Sequence, residues 1–258
     1  KLDKIDRSAL RVMIGLRKYI CSQFKPNVAK ALYDLFKAKN IMDFSMGWGD
    51  RLAGFFASQN TELYVGVDPR KENHPIYREQ ADYYEGQLTM FETMKKVDFY
   101  CEAAEDFYYD GYEDTFDIIF TSPPYFNVER YSHDDNQSWV RYKDIDNWNS
   151  QFLHKALDNM LPTLRSGGKL CINISDVYSP SAGKKAWSKI CDPMNDFIQS
   201  YGGMEYKGCI GMEMAKRPNS GGAGTAKDTK QYTEESLQLA KETKDKRFCE
   251  PIWIWEKK

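Results

Sequence analysis

Residues 117–125 read Asp-Ile-Ile-Phe-Thr-Ser-Pro-Pro-Tyr, an apolar run that stops on a serine, two prolines and a tyrosine. Each proline fixes φ and removes a backbone donor, so the turn after Thr121 is stiff and offers carbonyl acceptors. Ser122 Oγ and the Pro123 carbonyl can accept the two N–H bonds of an amino group attached to an aromatic ring. Conjugation leaves such a nitrogen a poor nucleophile. Accepting its hydrogens turns it toward tetrahedral geometry and directs its lone pair at an electrophile held opposite. Preorganised dipoles and in-line placement lower the barrier to such a transfer. Pro124 holds the turn, and Tyr125 adds an aromatic face on which a planar base can stack. The plainer alternative is a proline-terminated strand running into a loop.

Two segments upstream offer a place for the electrophile. Asp43-Phe44-Ser45-Met46-Gly47-Trp48-Gly49 lies between a short apolar run and a helical pattern. Glycines there let the backbone turn tightly and approach a ligand without a Cβ in the way. Val65-Gly66-Val67-Asp68 then ends on an acid about 20 residues beyond the glycines, the spacing at which a carboxylate accepts from both ribose hydroxyls. The pair serves NAD or S-adenosylmethionine alike, although the missing third glycine of GxGxxG weakens the dinucleotide reading. Taken singly, a GxG is an ordinary strand-to-helix turn, and an aspartate ending a strand is common.

The elements that must position these residues follow from periodicity. Strands are expected at Ile41–Phe44, Leu63–Val67, Phe116–Thr121 and Leu170–Ile174, with a last one at Pro251–Trp255. Pro26 can open a helix reaching about Lys39, and apolar spacing predicts another across residues 5–20. Helices should also follow Gly49 and cover Trp148–Leu164, the latter stopping at Ser166-Gly167-Gly168. Strands alternating with helices predict an α/β fold, a mainly parallel twisted sheet with helices on both faces. We expect a single domain over 1–258, with N-terminal helices within 1–39. A substrate-contacting or mobile loop is expected at 216–247, where glycine and then lysine dominate.

The 258 residues carry 36 basic and 38 acidic side chains, a net charge of −2, which excludes a wholly basic nucleic-acid coat but not a local basic channel. Six cysteines without a CxxC pair, and three histidines, give no zinc or disulfide pattern. A reducing, intracellular setting is the default expectation. No apolar stretch reaches the roughly 18 residues of a membrane span, and no signal-peptide pattern opens the chain, whose first residue is Lys1.

The ordered set of Asp43–Gly49, Asp68 and Ser122-Pro123-Pro124-Tyr125 resembles the amino-methyltransferases of DNA over about residues 24–175. The resemblance implies a Rossmann-like class I methyltransferase fold, S-adenosyl-L-methionine as cofactor and DNA as partner, with the base extruded for reaction. It assigns Ser122, Pro123, Pro124 and Tyr125 to catalysis and Asp43, Gly47, Gly49, Asp68 and Glu105 to the cofactor, without a metal. Phe24-Lys25-Pro26 looks like the family's segment that encloses the methionine end of the cofactor. Phe44-Ser45 departs from the family's Pro-Phe pair, and Gly47-Trp-Gly-Asp-Arg-Leu52 looks like a variant of phage and viral methylases. Within the family, serine at the first position of the catalytic turn favours cytosine-N4 over adenine-N6. The setting implied is a bacterial or phage-infected cell, or a nucleus, with restriction–modification as one role. An RNA or protein amide methyltransferase, or a catalytically silent subunit of a methylase complex, remain as alternatives.

Weaker candidates surround this set. Glu102 competes with Glu105 for the cofactor's adenine, and either can simply be an acid favoured at a helix N-terminus. Glu129 and Tyr131 could read a base, and Arg130 could meet a phosphate. Asn173 and Asp176 end another strand, where structural hydrogen bonding is an equal reading. The lysines and arginines of 216–247 could track a phosphate backbone or merely solvate a loop.

Overall fold

The computed structural model describes residues 23–89, 94–126, 129–179, 186–214 and 248–258; the expected helix at 5–20 and the loop at 216–247 lie outside them. Five parallel strands are built first: β1 (Asn40–Asp43), β2 (Leu63–Val67), β3 (Lys96–Tyr100), β4 (Phe116–Thr121) and β5 (Leu164–Asn173). A short antiparallel ribbon of β6 (Val177–Ser179) and β7 (Ala186–Ser188) stands apart. The last strands, β8 (Met204–Met214) and β9 (Phe248–Lys257), join the main sheet antiparallel, giving the order β3-β2-β1-β4-β5-β9-β8.

Alternation along the strands separates two cores. Met42, Val65, Val67, Ile119, Leu170, Ile172, Trp253 and Trp255 face one side, while Ile41, Tyr64, Ile118, Phe120, Cys171, Ile252 and Ile254 face the other. A strand buried on both faces must read as a near-continuous apolar run, as Phe116–Thr121 does. The second face is covered by α1 (Pro26–Leu35), α2 (Asp50–Ala57) and α3 (Asn73–Glu85), whose Leu32, Tyr33, Leu52, Phe55 and Tyr77 are buried there.

Over the first face lie short helices α4 (Ser138–Arg141) and α5 (Ile145–Asn147), a π-helical turn (Trp148–His154), α6 (Lys155–Met160) and α7 (Cys191–Tyr201). Trp148, Phe152, Leu153, Ala156, Leu157 and Met160 bury one continuous stripe, so the expected helix at 148–164 is present with a changing pitch. Burial of each such side chain stabilises the fold by roughly 1.5–3 kcal/mol. The indoles of the last strand need partners as well: Trp253 Nε1 donates to Ile174 O and Trp255 Nε1 to Asn195 Oδ1, both at 2.9 Å.

β1 runs one residue earlier than expected and β9 is longer at both ends, and two further boundaries differ from the sequence expectation for local reasons. α1 ends at Leu35 and not near Lys39, because Lys37 enters the left-handed region at φ 51°. β5 begins at Leu164, ahead of the glycines. Phe116 pairs with Leu164 but Ile118 with Lys169, so Ser166-Gly167-Gly168 bulges out within the strand and does not precede it. The connections from β1 and β4 leave the sheet on opposite sides, which opens a crevice at their carboxyl ends. Asp43, Asp68, Thr121 and Asn173 all sit at that edge of the sheet.

Candidate active site

The glycine bend is held from below and from both sides. Gly47 and Gly49 have φ of 60° and 82°, where a side chain costs roughly 1–2 kcal/mol. The Gly47 N–H donates to Asp68 Oδ2 at 2.9 Å, and its carbonyl accepts from Asn73 Nδ2 at 2.8 Å and Tyr77 Oη at 2.6 Å. Asp43 lies fully buried beneath the bend. Its carboxylate accepts from Arg51 Nε at 2.8 Å, Arg51 Nη2 at 3.2 Å, Tyr64 Oη at 2.7 Å and the Ser45 N–H at 3.2 Å. Arg51 also donates to the Ser45 carbonyl. Asp43 therefore acts on the cavity through the bend it fixes, with no surface of its own in it.

Asp68 is the polar group the bend presents. Its Oδ1 accepts from the Arg70 N–H at 3.0 Å while Oδ2 holds Gly47. An ionised carboxylate has about four acceptor sites, so two remain for hydroxyls of a ligand. Burial pushes its pKa up to about 6, against the pull of the Arg70 and Gly47 N–H groups.

Asp68 opens onto a cavity whose walls include Phe44, Gly47, Ala104, Glu105 and Phe152. Glu105 is buried at its far side, accepting from Arg141 Nη1 at 3.0 Å and Tyr142 Oη at 3.3 Å. Burial raises its pKa, with Arg141 opposing. Glu102 is exposed and does not line the cavity, which separates the two acids left open by the sequence. Apolar walls with two buried carboxylate acceptors, Asp68 and Glu105, could hold a nucleoside. A Cβ at Gly47 would point into this space, its nearest neighbour being Ser45 O at 4.0 Å.

The proline turn closes the same crevice from β4. Ser122 Oγ lies 3.3 Å from Asn173 Oδ1, and Asn173 Nδ2 donates to Pro251 O at 3.0 Å. The Pro251 carbonyl thus sets the amide so that its oxygen takes the serine proton, leaving the Oγ lone pairs directed outward. The Pro124 carbonyl accepts from the Phe126 N–H at 2.9 Å, so the chain folds back sharply around Tyr125, with Phe126 at φ 46°. The Tyr125 N–H donates to Glu129 Oε2 at 3.2 Å and its hydroxyl to Glu250 Oε2 at 3.4 Å. Burial first, then the Glu250 and Glu129 carboxylates, hold the phenol well above its usual pKa.

Tyr125, Glu129, Asn173 and Glu250 line a second cavity, with Phe24 in its wall. Ser45, Gly47, Trp48, Ser122 and Tyr131 line both cavities. Ser122 therefore stands at their junction, with the space beside Asp68 and Glu105 on one side and a space walled by Tyr125 on the other. Of the predicted residues, Gly47, Asp68, Glu105, Ser122, Pro124 and Tyr125 line this double cavity. Gly49 shapes the bend, and Pro123 is buried in the turn. Arg141 and Glu250 carry no sequence signal for the site, and Arg51 enters the sequence reading only as part of the Gly47–Leu52 motif. Arg51, eight residues after Asp43 on the first turn of a helix, was the one with a readable signal.

Known proteins share parts of this arrangement. A family model described as DNA methylase, covering N6 and N4 methyltransferases, matches residues 116–257, which include the proline turn, Asn173 and Glu250. No curated protein matches the chain. Among solved structures, the MccD protein aligns with a TM-score of 0.51 at 13% identity, over 92% of this chain and 100% of that one. PH0851 aligns at 0.52 and 12% identity, over 92% of this chain and 47% of that one. A Burkholderia thailandensis 1,6-didemethyltoxoflavin-N1-methyltransferase, solved with S-adenosylhomocysteine, aligns at 0.50 and 13% identity, over 90% and 77%. At such identities the likeness is one of fold: the Rossmann-like fold of the class I S-adenosylmethionine-dependent methyltransferases.

Proposed function

The chain belongs to the DNA methylase family, and from that premise we propose that it methylates the exocyclic amino group of a base in DNA, cytosine-N4 in preference to adenine-N6. S-adenosylmethionine is the methyl donor. The observation that carries the reading is the position of Ser122, whose hydroxyl faces the junction of the two cavities while Asn173 holds its proton.

The first cavity suits the donor. Asp68 accepts from the ribose hydroxyls, Gly47 leaves room for the backbone to approach, and Glu105 faces the adenine end. The donor supplies an electrophilic methyl on a sulfonium, which becomes a neutral thioether as the methyl leaves. The second cavity takes the extruded base against Tyr125, where stacking is worth about 1–3 kcal/mol. Ser122 Oγ and the Pro123 carbonyl accept from the amino hydrogens. Both acceptors are fixed before the base arrives, so little reorganisation is needed when charge develops on nitrogen. The preference for cytosine rests on serine at the first position of the turn. Such a substrate places the protein inside a cell; among the described residues no helix is long and apolar enough to cross a membrane.

Labelled donor incubated with DNA, RNA and protein in parallel tests this. The proposal expects label in DNA, lost in Ser122→Ala while donor binding by calorimetry persists. Label confined to RNA or protein, or full transfer by Ser122→Ala, would overturn it.

A further inference from the structure

The turn supplies acceptors for the amino hydrogens but no base. As the N–CH₃ bond forms and the S–CH₃ bond breaks with its electron pair passing to sulfur, nitrogen gains positive charge and must release one proton. Neither a serine whose own proton is held by Asn173 nor a proline carbonyl takes up a proton near neutral pH. A carboxylate does.

We propose that Glu250 is the acceptor of that proton and the counter-charge to the developing ammonium. The inference rests on the reading of the site as an amino-methyltransferase. Glu250 is 6% exposed, yet lines the second cavity together with Ser122 and Tyr125. Its Oε2 lies 3.4 Å from Tyr125 Oη, so it sits at the ring on which the base would stack. It precedes Pro251, the residue whose carbonyl orients Asn173 and through it Ser122. Chain connectivity thus places proton acceptor and nucleophile-orienting groups side by side. β5 ends at Asn173, opposite Ile252, which leaves the Glu250 side of β9 free of β5.

Among the described residues, titratable and charged groups come toward Glu250 from several neighbouring elements. The catalytic turn brings Tyr125 and Glu129, and the start of α2 brings Asp50 and Arg51, all lining the same cavity. Arg51 is committed to Asp43. β8 pairs Met212 with Glu250, beside Glu213, whose carbonyl accepts from Lys25. Glu129 meets Tyr125 at the backbone N–H and Glu250 meets it at the hydroxyl, so Glu250 is the carboxylate at the tip of the ring. Transfer would then move one proton from the amino nitrogen to Glu250, and from there to solvent between turnovers.

The test is single-turnover methyl transfer to mixed-sequence DNA across pH 5–9, at saturating donor. Wild type should show a rate that rises with pH through one ionisation to a plateau. Glu250→Gln should lower the plateau by about 10²-fold and lose the acidic limb, with donor affinity by calorimetry unchanged. Glu250→Asp, which keeps a carboxylate one methylene shorter, should retain the limb at an intermediate rate, and serves as the decisive variant if Glu250→Gln does not fold. Transfer by wild type with either variant within threefold and Glu250→Gln keeping the same pH profile would overturn the assignment alone. Absence of any transfer to DNA by wild type would overturn the methylase reading and the assignment with it.

Discussion

Ser122 Oγ and Asn173 Oδ1 lie 3.3 Å apart across the carboxyl ends of β4 and β5, residues 51 positions apart in the chain. Because the Asn173 amide is set by the Pro251 carbonyl, the serine is held as an acceptor toward the cavity. Asn173→Ala should free the hydroxyl to rotate and lower kcat about tenfold, one net hydrogen bond's worth, with donor affinity unchanged. Ser122→Ala should lower kcat by about 10²–10³, as loss of one preorganised transition-state contact does. Rapid-quench assays with calorimetry separate the two; equal, small effects would argue that the hydrogen bond is merely structural.

Asp68 predicts a pH dependence of donor binding. Its carboxylate must be ionised to accept from two hydroxyls, and burial raises its pKa to about 6. Affinity should be constant above pH 7 and weaken below about 6, approaching tenfold per pH unit. The unliganded protein moves the other way. A group whose folded pKa lies above its unfolded value favours folding most at low pH, and that contribution falls as pH rises from about 4 to about 6. Calorimetry from pH 5 to 8 on wild type and Asp68→Asn checks the assignment, since the variant should bind at least about 30-fold more weakly at pH 8 with a flat profile.

The two glycines of the bend should fail differently. An alanine at 47 meets nothing nearer than 4.0 Å and points into the donor cavity. Gly47→Ala should cost about 1 kcal/mol of stability for its left-handed φ, and much more in donor affinity. At 49 a Cβ meets only the terminal amide of Gln80, which can swing aside, so Gly49→Ala should cost about the same conformational 1 kcal/mol and leave donor affinity largely intact. Adding Gln80→Ala should change the stability of Gly49→Ala little. Urea denaturation of the single and double variants measures this.

Asp43 and Arg51 form a fully buried ion pair whose loss should be seen first in stability. Removing one partner leaves an uncompensated charge, which typically costs 3–5 kcal/mol. Arg51→Met should destabilise by about that much and loosen the bend through Ser45. Asp43→Asn/Arg51→Met together should recover part of the loss. A donor affinity that falls while stability holds would instead give Asp43 a direct role.

Much of this was legible because chemistry and periodicity coincided. Leu63–Val67 and Phe116–Thr121 are near-continuous apolar runs, so their strand limits match the expectation, and the acid and the proline turn follow at their carboxyl ends. The last strand was expected only at Pro251–Trp255, because Cys249 and Glu250 carry no alternation signal; their pairing with β8 sets the longer strand. The pitch change at Trp148–His154 is likewise decided by packing of Trp148, Phe152 and Leu153 on the sheet. In sequence Asn173 reads equally as structural or substrate-facing, because its partners Ser122 and Pro251 are far away along the chain. Glu250, 125 residues from Tyr125, could be connected to the site only through the sheet order.

Nucleoside mass spectrometry of DNA incubated with the protein and isotopically labelled S-adenosylmethionine tests the central claim most directly. The account predicts label on an exocyclic nitrogen, as N4-methyldeoxycytidine in excess of N6-methyldeoxyadenosine, and none with Ser122→Ala. Label at a ring carbon, or methylated RNA or protein beside unmodified DNA, would contradict it.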